Sequence, residues 1–369
     1  MALDIKLDML FNFLGEGGAV AFVGLVVGLG FGALAQRSRF CFRAAVIEFT
    51  RGAFGSKTAI WLLAFGGAVV AVQGLIAAGL LDVSEARQLN GLGSLSGAII
   101  GGLLFGVGMI LARGCASRLL ILSATGNLRA LVSGLILTVV AQASLRGGLS
   151  PLREWLAGLW TVSGEASRDL MTVLGFSGAT PLLIGLAIVV AALLFAARAR
   201  LSLWIIAGSL GVGVMIAVGW FATYTISLQS FNPVSVKSIS FIGPSADTLM
   251  GLINQPTLPM VFDLGLVPGV FAGSFLAALL SREFKWQCFS IETSPMPRYI
   301  AGAVLMGFGG MLAGGCAVGA GMTGGSVFAL TAWVALSAMW VGAAITDTLV
   351  DRRRDAVAAE ANGVPATPS

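Results

Sequence analysis

Gly102-Leu-Leu-Phe-Gly106-Val-Gly108-Met-Ile-Leu-Ala112-Arg-Gly114-Cys115-Ala116 is an apolar run that ends in a glycine and a cysteine. It returns 201 positions later as Gly307-Phe-Gly309-Gly-Met-Leu-Ala313-Gly-Gly315-Cys316-Ala317. Gly106, Gly108, Ala112, Gly114, Cys115 and Ala116 all find the same residue at that offset. A three-residue shift then aligns Thr125-Gly126 with Thr323-Gly324. Matching at this density marks an internal repeat. A fainter echo pairs Arg39-Phe-Cys41-Phe with Trp286-Gln-Cys288-Phe.

The surroundings of the repeat are membrane-like. The chain has 369 residues, 57% hydrophobic and 11% charged, with mean hydropathy +0.94. A soluble domain carries roughly 25% charged residues. A polar coat over a soluble fold of this size is missing, and lipid removes the need for one. The net charge of +5 does not point to nucleic acid, because the basic residues fall between apolar stretches. There is no histidine, which disfavours zinc, haem and imidazole proton-relay chemistry. The four cysteines, Cys41, Cys115, Cys288 and Cys316, form no CxxC pair. No signal-peptide pattern opens the chain.

Apolar windows long enough to cross or enter a bilayer lie at 17–36, 58–81, 96–112, 128–142, 181–197, 201–221, 264–281, 298–312 and 326–346. The expected fold is therefore all-α, a polytopic transmembrane protein of about nine spans in a single domain. Several windows are short, as where helices stop at mid-membrane. With the N-terminus outside, sixteen of the 22 Lys and Arg fall on the cytoplasmic side. That bias predicts N-out and C-in. The helix before Cys115 then runs inward and the helix before Cys316 outward. The repeat is thus inverted, with halves at about 18–150 and 181–346 and broken, re-entrant hairpins at the cysteines. The outer segment 143–180 holds Trp155 and Trp160 and reads as containing an interfacial helix. Segment 222–263 is rich in Ser, Thr, Pro and Asn and gives no clear reading. The tail, about 352–369, has a disordered composition.

Non-helical backbone at membrane depth must line a cavity or be buried in protein. Two such turns from opposite faces would aim helix N-termini, with their free N–H groups and positive dipole ends, at a common point. That setting suits an anion. A thiol there is a weak donor and a soft partner for sulfur. Weak stations in series can bind a solute and still release it. The plain alternative, small buried cysteines in tight turns, loses ground because two copies sit at equivalent positions. Cys41, between Arg37, Arg39 and Arg43, is weaker evidence by itself, and Cys288 weaker still. Carboxylates are scarce inside the spans, which disfavours a mid-membrane proton carrier.

The chain resembles the YeeE/YedE family of sulfur-transport membrane proteins. The resemblance rests on Arg39-Phe-Cys41-Phe-Arg43, Arg113-Gly-Cys115-Ala and Gly314-Gly-Cys316-Ala-Val-Gly319-Ala-Gly321-Met-Thr-Gly324, and runs from about 18 to 346. It implies thiosulfate uptake through the bacterial inner membrane, by a helical inverted-repeat fold pinched at its centre. Thiols matching Cys41, Cys115 and Cys316 would pass the anion along by S–H···S contacts; Cys288 matches none. It also implies a TusA-like or rhodanese-like sulfur-carrier protein at the cytoplasmic face, and leaves selenium or other sulfur species open as cargo. The candidate transport site is Cys41, Cys115 and Cys316 with Arg39, Arg113, Gly114, Gly315, Thr125 and Thr323. No catalytic residue, metal or cofactor is expected. Three other readings compete: a membrane sulfurtransferase with Cys41 as nucleophile, a Cu(I) carrier, and a channel for a neutral solute.

Overall fold

The computed structural model describes residues 8–164, 167–176, 178–254, 260–287 and 296–352. Cys288 and residues 353–369 of the tail lie outside them. In chain order the helices are α1 (Asp8–Arg37), α2 (Phe42–Thr50), α3 (Ser56–Ala77), α4 (Leu95–Leu111), α5 (Ala116–Ala124), α6 (Leu128–Arg146), α7 (Ser150–Gly158) and α8 (Leu170–Val173). They continue as α9 (Thr180–Arg198), α10 (Leu203–Gln229), α11 (Ile242–Asn254), α12 (Phe262–Leu280), α13 (Met296–Leu312), α14 (Gly324–Ser326) and α15 (Leu330–Thr346). Two π-helical stretches, π1 (Ala317–Thr323) and π2 (Asp347–Asp351), precede α14 and follow α15. The one sheet among the described residues is a two-residue ribbon, β1 (Gly93–Ser94) with β2 (Thr161–Val162). Nine stretches of the described chain are long and apolar enough to cross a membrane, in agreement with the nine windows read from the sequence.

Lipid offers no hydrophobic drive for helices to associate, so close backbone packing through small residues takes over. Gly24, Gly28 and Gly32 on α1 face Gly265, Gly269 and Gly273 on α12, and a Cβ on any of the six would run into opposing backbone. Gly24 meets Phe262, Gly28 meets Leu266 and Gly32 meets Val270, so α1 and α12 run parallel. The echo between Cys41 and Cys288 therefore follows parallel helices and is no part of an inverted relation.

The crossing of α4 and α13 is antiparallel and reciprocal. A Cβ on Gly101 would come within 2.5 Å of the Gly309 carbonyl oxygen, and one on Gly302 within 2.7 Å of that of Gly108. Gly101 and Gly302 are 201 positions apart, as are Gly108 and Gly309. Exchanging the two motifs therefore exchanges the contacts, which is the mark of a two-fold relation. The flanks follow suit: Gly106 packs on α15 and its mate Gly307 on α6.

Helix ends carry a second regularity. The helices α1, α4, α9 and α12 are alternate spans and end on one face. Each stops with an arginine in the left-handed region: Arg39 (φ 55°), Arg113 (φ 57°), Arg200 (φ 50°) and Arg282 (φ 56°). In all four the arginine N–H and the next N–H fold back onto carbonyls of the last turn, as in Arg39 N to Gln36 O and Phe40 N to Ala35 O. The same motif ends α3 and α13 on the other face, with Gly79 and Gly314 in the left-handed position. On the arginine face, α2 is tied to π2 by Arg51 to Asp347 (3.0 Å through two nitrogens) and Arg43 to Asp351 (3.1 Å), with Arg298 also on Asp351 at 2.5 Å.

The two long segments around 143–180 and 222–263 take form in the described residues. The Trp155 region is the short helix α7, with Trp155 exposed. Residues 230–241 run without regular structure into α11, a thirteen-residue helix that packs against α6, α12 and α13.

Candidate functional site

Each of three cysteines follows the same backbone device. A helix ends, the residue two before the cysteine turns left-handed (Arg39, Arg113, Gly314), and the cysteine becomes the N-cap of a new short helix. Cys41 caps α2, Cys115 caps α5 and Cys316 caps π1, all with extended backbone. The first N–H groups of each new helix have no helical partner and are free to face an electron-rich group. In the first hairpin the left-handed residue is Arg113, so the turn does not depend on Gly114 for its angle. Gly114 is buried, and a Cβ there would meet only the Leu119 side chain at 3.3 Å. Gly315 is needed for space: its Cβ would lie 2.7 Å from the Ala320 nitrogen.

The thiols come together. Cys115 and Cys316 are each 1% exposed and Cys41 is half-buried. The Cys115 sulfur lies within electrostatic reach of both Cys41 and Cys316, and 3.3 Å from the Ser117 hydroxyl. Gly319 N–H donates to the Cys316 sulfur at 3.3 Å. The amides of Val318, Phe241 and Ile242 face the same sulfur, the last two from the start of α11. Two helix N-termini thus converge on Cys316 from different sides. Aromatic rings close the centre: Phe31 lies 5.5 Å from Phe241 and 6.5 Å from Phe40, all three buried.

This fourth arm, Ser238 to Ile242, was not read from the sequence. It is pinned by Ser238 Oγ to Ile216 O (2.6 Å) and Thr323 Oγ1 to Ile239 O (2.6 Å), and Ser240 fills the space beside Gly319. The available signal was the apolar Ile239-Ser-Phe-Ile242 inside a polar stretch, followed by Gly243-Pro244 at a helix start. Thr323 therefore serves the site by holding this arm. Thr125 does not reach it: it ends α5, ten residues past the Cys115 cap, and bonds its own helix at Leu122 O (2.8 Å). Arg39 points away, 67% exposed and 3.3 Å from Glu283, while Arg43 is committed to Asp351. Arg113 is exposed, with no hydrogen bond to the described residues. Arg39 and Arg43 are thus committed to acids rather than to Cys41, which weakens the support for a nucleophilic role. Among the described residues no group of His, Cys, Asp or Glu is arranged to hold a metal ion.

On the face opposite the arginine turns, a clamp covers the Cys316 hairpin. Arg87 donates to the Gly314 carbonyl at 3.2 Å. Arg168, 7% exposed, grips the loop that carries Arg87 through the carbonyls of Arg87 (3.2 Å), Asn90 (2.8 Å) and Gly91 (3.4 Å), and reaches Thr331 Oγ1 at 3.4 Å. Its own backbone pairs with Leu330 (2.7 Å), at the exit of the same hairpin. Burial first, and the charge of Arg87 second, lower the Arg168 pKa. Replacing Arg168 with Met removes the grip while keeping the stem. The expected result is a loss of about 3 kcal/mol, read as a lower thermal midpoint, with faster maleimide labelling of Cys316 and unchanged labelling of Cys41. Unchanged Cys316 labelling would contradict the clamp.

Thiol-capped broken helices at both copies of an inverted motif are what the resemblance described above leads one to expect. The family model for sulphur transport matches residues 37–345. The chain belongs to the sulphur-transport family. Two curated relatives are each named thiosulfate transporter TsuA. The protein from Escherichia coli K12 is 27% identical over 350 residues, covering 86% of this chain and 91% of the relative. The protein from Spirochaeta thermophila is 28% identical over 332 residues, covering 85% and 93%. The family match spans all three thiol caps, from Arg37 just before Cys41 to a point well past Cys316.

Proposed function

We propose that this protein carries thiosulfate, or a closely related sulfur anion, inward across a bacterial inner membrane, with Cys316, Cys115 and Cys41 as successive non-covalent stations. The observation that carries this reading is that three thiols each cap a new helix, with Cys115 neighbouring both of the others and the N-terminus of α11 joining at Cys316. Amide N–H groups answer the charge of the anion, and thiols answer its soft terminal sulfur. No station is strong, so the anion can move on.

The arginine turns support the orientation adopted in this reading. Arg39, Arg113, Arg200 and Arg282 share a face, which the positive-inside bias makes cytoplasmic. On this reading the N-terminus is outside and the C-terminus inside. Cys316 then caps a helix entered from the outer side, while Cys115 and Cys41 open inward. The halves at about 18–150 and 181–346 are inverted copies, α9 opening the second as the joining helix. A TusA-like or rhodanese-like carrier receiving the product would dock on the cytoplasmic face.

The test is uptake of labelled thiosulfate by cells that lack their own sulfate and thiosulfate transport. Expression of this chain should restore growth on thiosulfate as sole sulfur source. Failure to restore it, with the protein present in the membrane, would reject the reading.

A further inference from the structure

The α1–α12 pair carries a furrow of about 520 Å³ along its outer side. The glycines that let the two backbones touch leave little side-chain bulk at the seam. Ala33, Gly273 and Ala277 are the small residues of the lining, and Leu29, Leu276 and Leu280 the bulky ones. Leu276 and Leu280 are exposed, as are Phe22 and Val26 earlier on the same stripe of α1, so this side of the pair faces lipid. Along α1 the lining runs from Leu29 to Arg37, about 12 Å at 1.5 Å per residue. That is close to the depth of one hydrocarbon leaflet, about 15 Å.

Arg37 is the one charged residue in the lining. It is exposed and makes no hydrogen bond or ion pair with the described residues. The register of the pair, Gly24 on Phe262 and Gly32 on Val270, sets Arg37 level with Phe275. From there α12 continues for more than a turn, to Leu280. A cation so placed is costly beside lipid unless an anion answers it. Arg282, also exposed and without such a bond, follows two residues beyond Leu280. The next acid along the chain, Glu283, is already taken, accepting from Gln36 at 3.0 Å and Arg39 at 3.3 Å.

We propose that this furrow binds an anionic phospholipid from the leaflet on the arginine face, with an acyl chain between α1 and α12 and its phosphate at Arg37 and Arg282. The apolar lining holds the chain, and the guanidinium groups select the charge, by about fivefold for each arginine. A second copy of the chain fits the furrow poorly. Across a two-fold axis along the membrane normal the same patch meets itself, which would set Arg37 against Arg37 with no acid in the lining to separate them. A lipid seated here spans the junction that Gln36, Arg39 and Glu283 close, and so braces the turn that leads to Cys41.

The experiment is native mass spectrometry of the full chain, stripped of lipid in detergent and then offered phosphatidylglycerol or phosphatidylcholine. Phosphatidylglycerol should stay bound with an affinity several-fold above that of phosphatidylcholine. Arg37→Gln should lower that affinity about fivefold. Arg200→Gln, the same charge change on the same face at the end of α9, should leave it unchanged. Ala33→Phe should fill the furrow and abolish the preference with both arginines in place. If that variant fails to fold, Arg37→Gln against Arg200→Gln decides alone, since both side chains are exposed and neither has a bond among the described residues to lose. Phosphatidylglycerol should also raise the thermal midpoint of wild type, and that of Arg37→Gln by less. Equal retention of the two lipids, or equal losses for Arg37→Gln and Arg200→Gln, overturns the inference. A lipid-free dimer that Ala33→Phe splits makes a second copy the occupant and overturns it as well.

Discussion

Alanine at Cys316 or Cys115 is expected to leave a protein that inserts and folds but carries thiosulfate roughly a hundredfold more slowly. The structural cost is small, because a thiol is little larger than a methyl group, and the void should cost about 1 kcal/mol. The functional cost is larger. The Cys316 sulfur accepts from the Gly319 N–H and the Cys115 sulfur lies beside the Ser117 hydroxyl, and alanine takes the thiol away from each station. A hydrogen bond to a charged group is worth about 1.5–3 kcal/mol, which is roughly 10- to 150-fold in a rate. Cys41, half-buried, should show a smaller effect. Serine separates donor capacity from softness: if the sulfur matters as sulfur, Cys316→Ser should recover little of the loss. The measurement is initial uptake normalised to membrane-inserted protein. A protein with all three cysteines changed to alanine that still transports at the wild-type rate would end the relay model.

The second large effect falls on the fold. Valine at Gly101 or Gly309 should prevent the protein from accumulating in folded form. Each glycine sits against the other's backbone, with a Cβ limited to 2.5 Å and 2.7 Å from the facing carbonyl oxygen. Backbone cannot swing aside as a side chain can, so α4 and α13 would have to part. Overpacking costs about 1–3 kcal/mol in forgiving cores, and this crossing should cost more, since the rest of the bundle is built upon it. Gly74, in α3, is the control: nothing lies within 4 Å of its Cβ position. Alanine there should be neutral or stabilising by about 0.5–1 kcal/mol. Size-exclusion profiles of detergent extracts would show it: aggregation for Gly101→Val, a single symmetric peak for Gly74→Ala. A symmetric peak with an unchanged thermal midpoint for Gly101→Val would contradict the packing argument.

The spans were legible because hydropathy over about twenty residues is a strong signal in a membrane protein. The thiol turns at Cys115 and Cys316 were legible because their residues repeat. The arm at Ser238–Ile242 was not, because it has neither the cysteine nor the left-handed turn of the other three: an irregular stretch leads straight into α11. The roles of the arginines were also misjudged. Sequence proximity placed Arg39 and Arg43 around Cys41, but side chains six or seven ångströms long reach past their neighbours to acids far away in sequence, Glu283 and Asp351. Thr125 and Thr323 align in sequence yet differ in use, since only the second has an arm to hold. Arg87 carries no local pattern; it matters only because its loop, distant in sequence, meets the Cys316 hairpin at Gly314.

The four left-handed arginines have a consequence for anyone who would improve this protein. Glycine at Arg39, Arg113, Arg200 or Arg282 would relieve an unfavourable backbone angle, a gain of about 1 kcal/mol each. A stability screen on purified material would select such changes. On the proposed orientation those same side chains are among the charges that tell the insertion machinery which loops to retain, a decision made during synthesis and invisible to any assay on the finished molecule. Selection for robustness at these positions would therefore trade away correct threading, and the loss would surface as poor yield rather than as poor function.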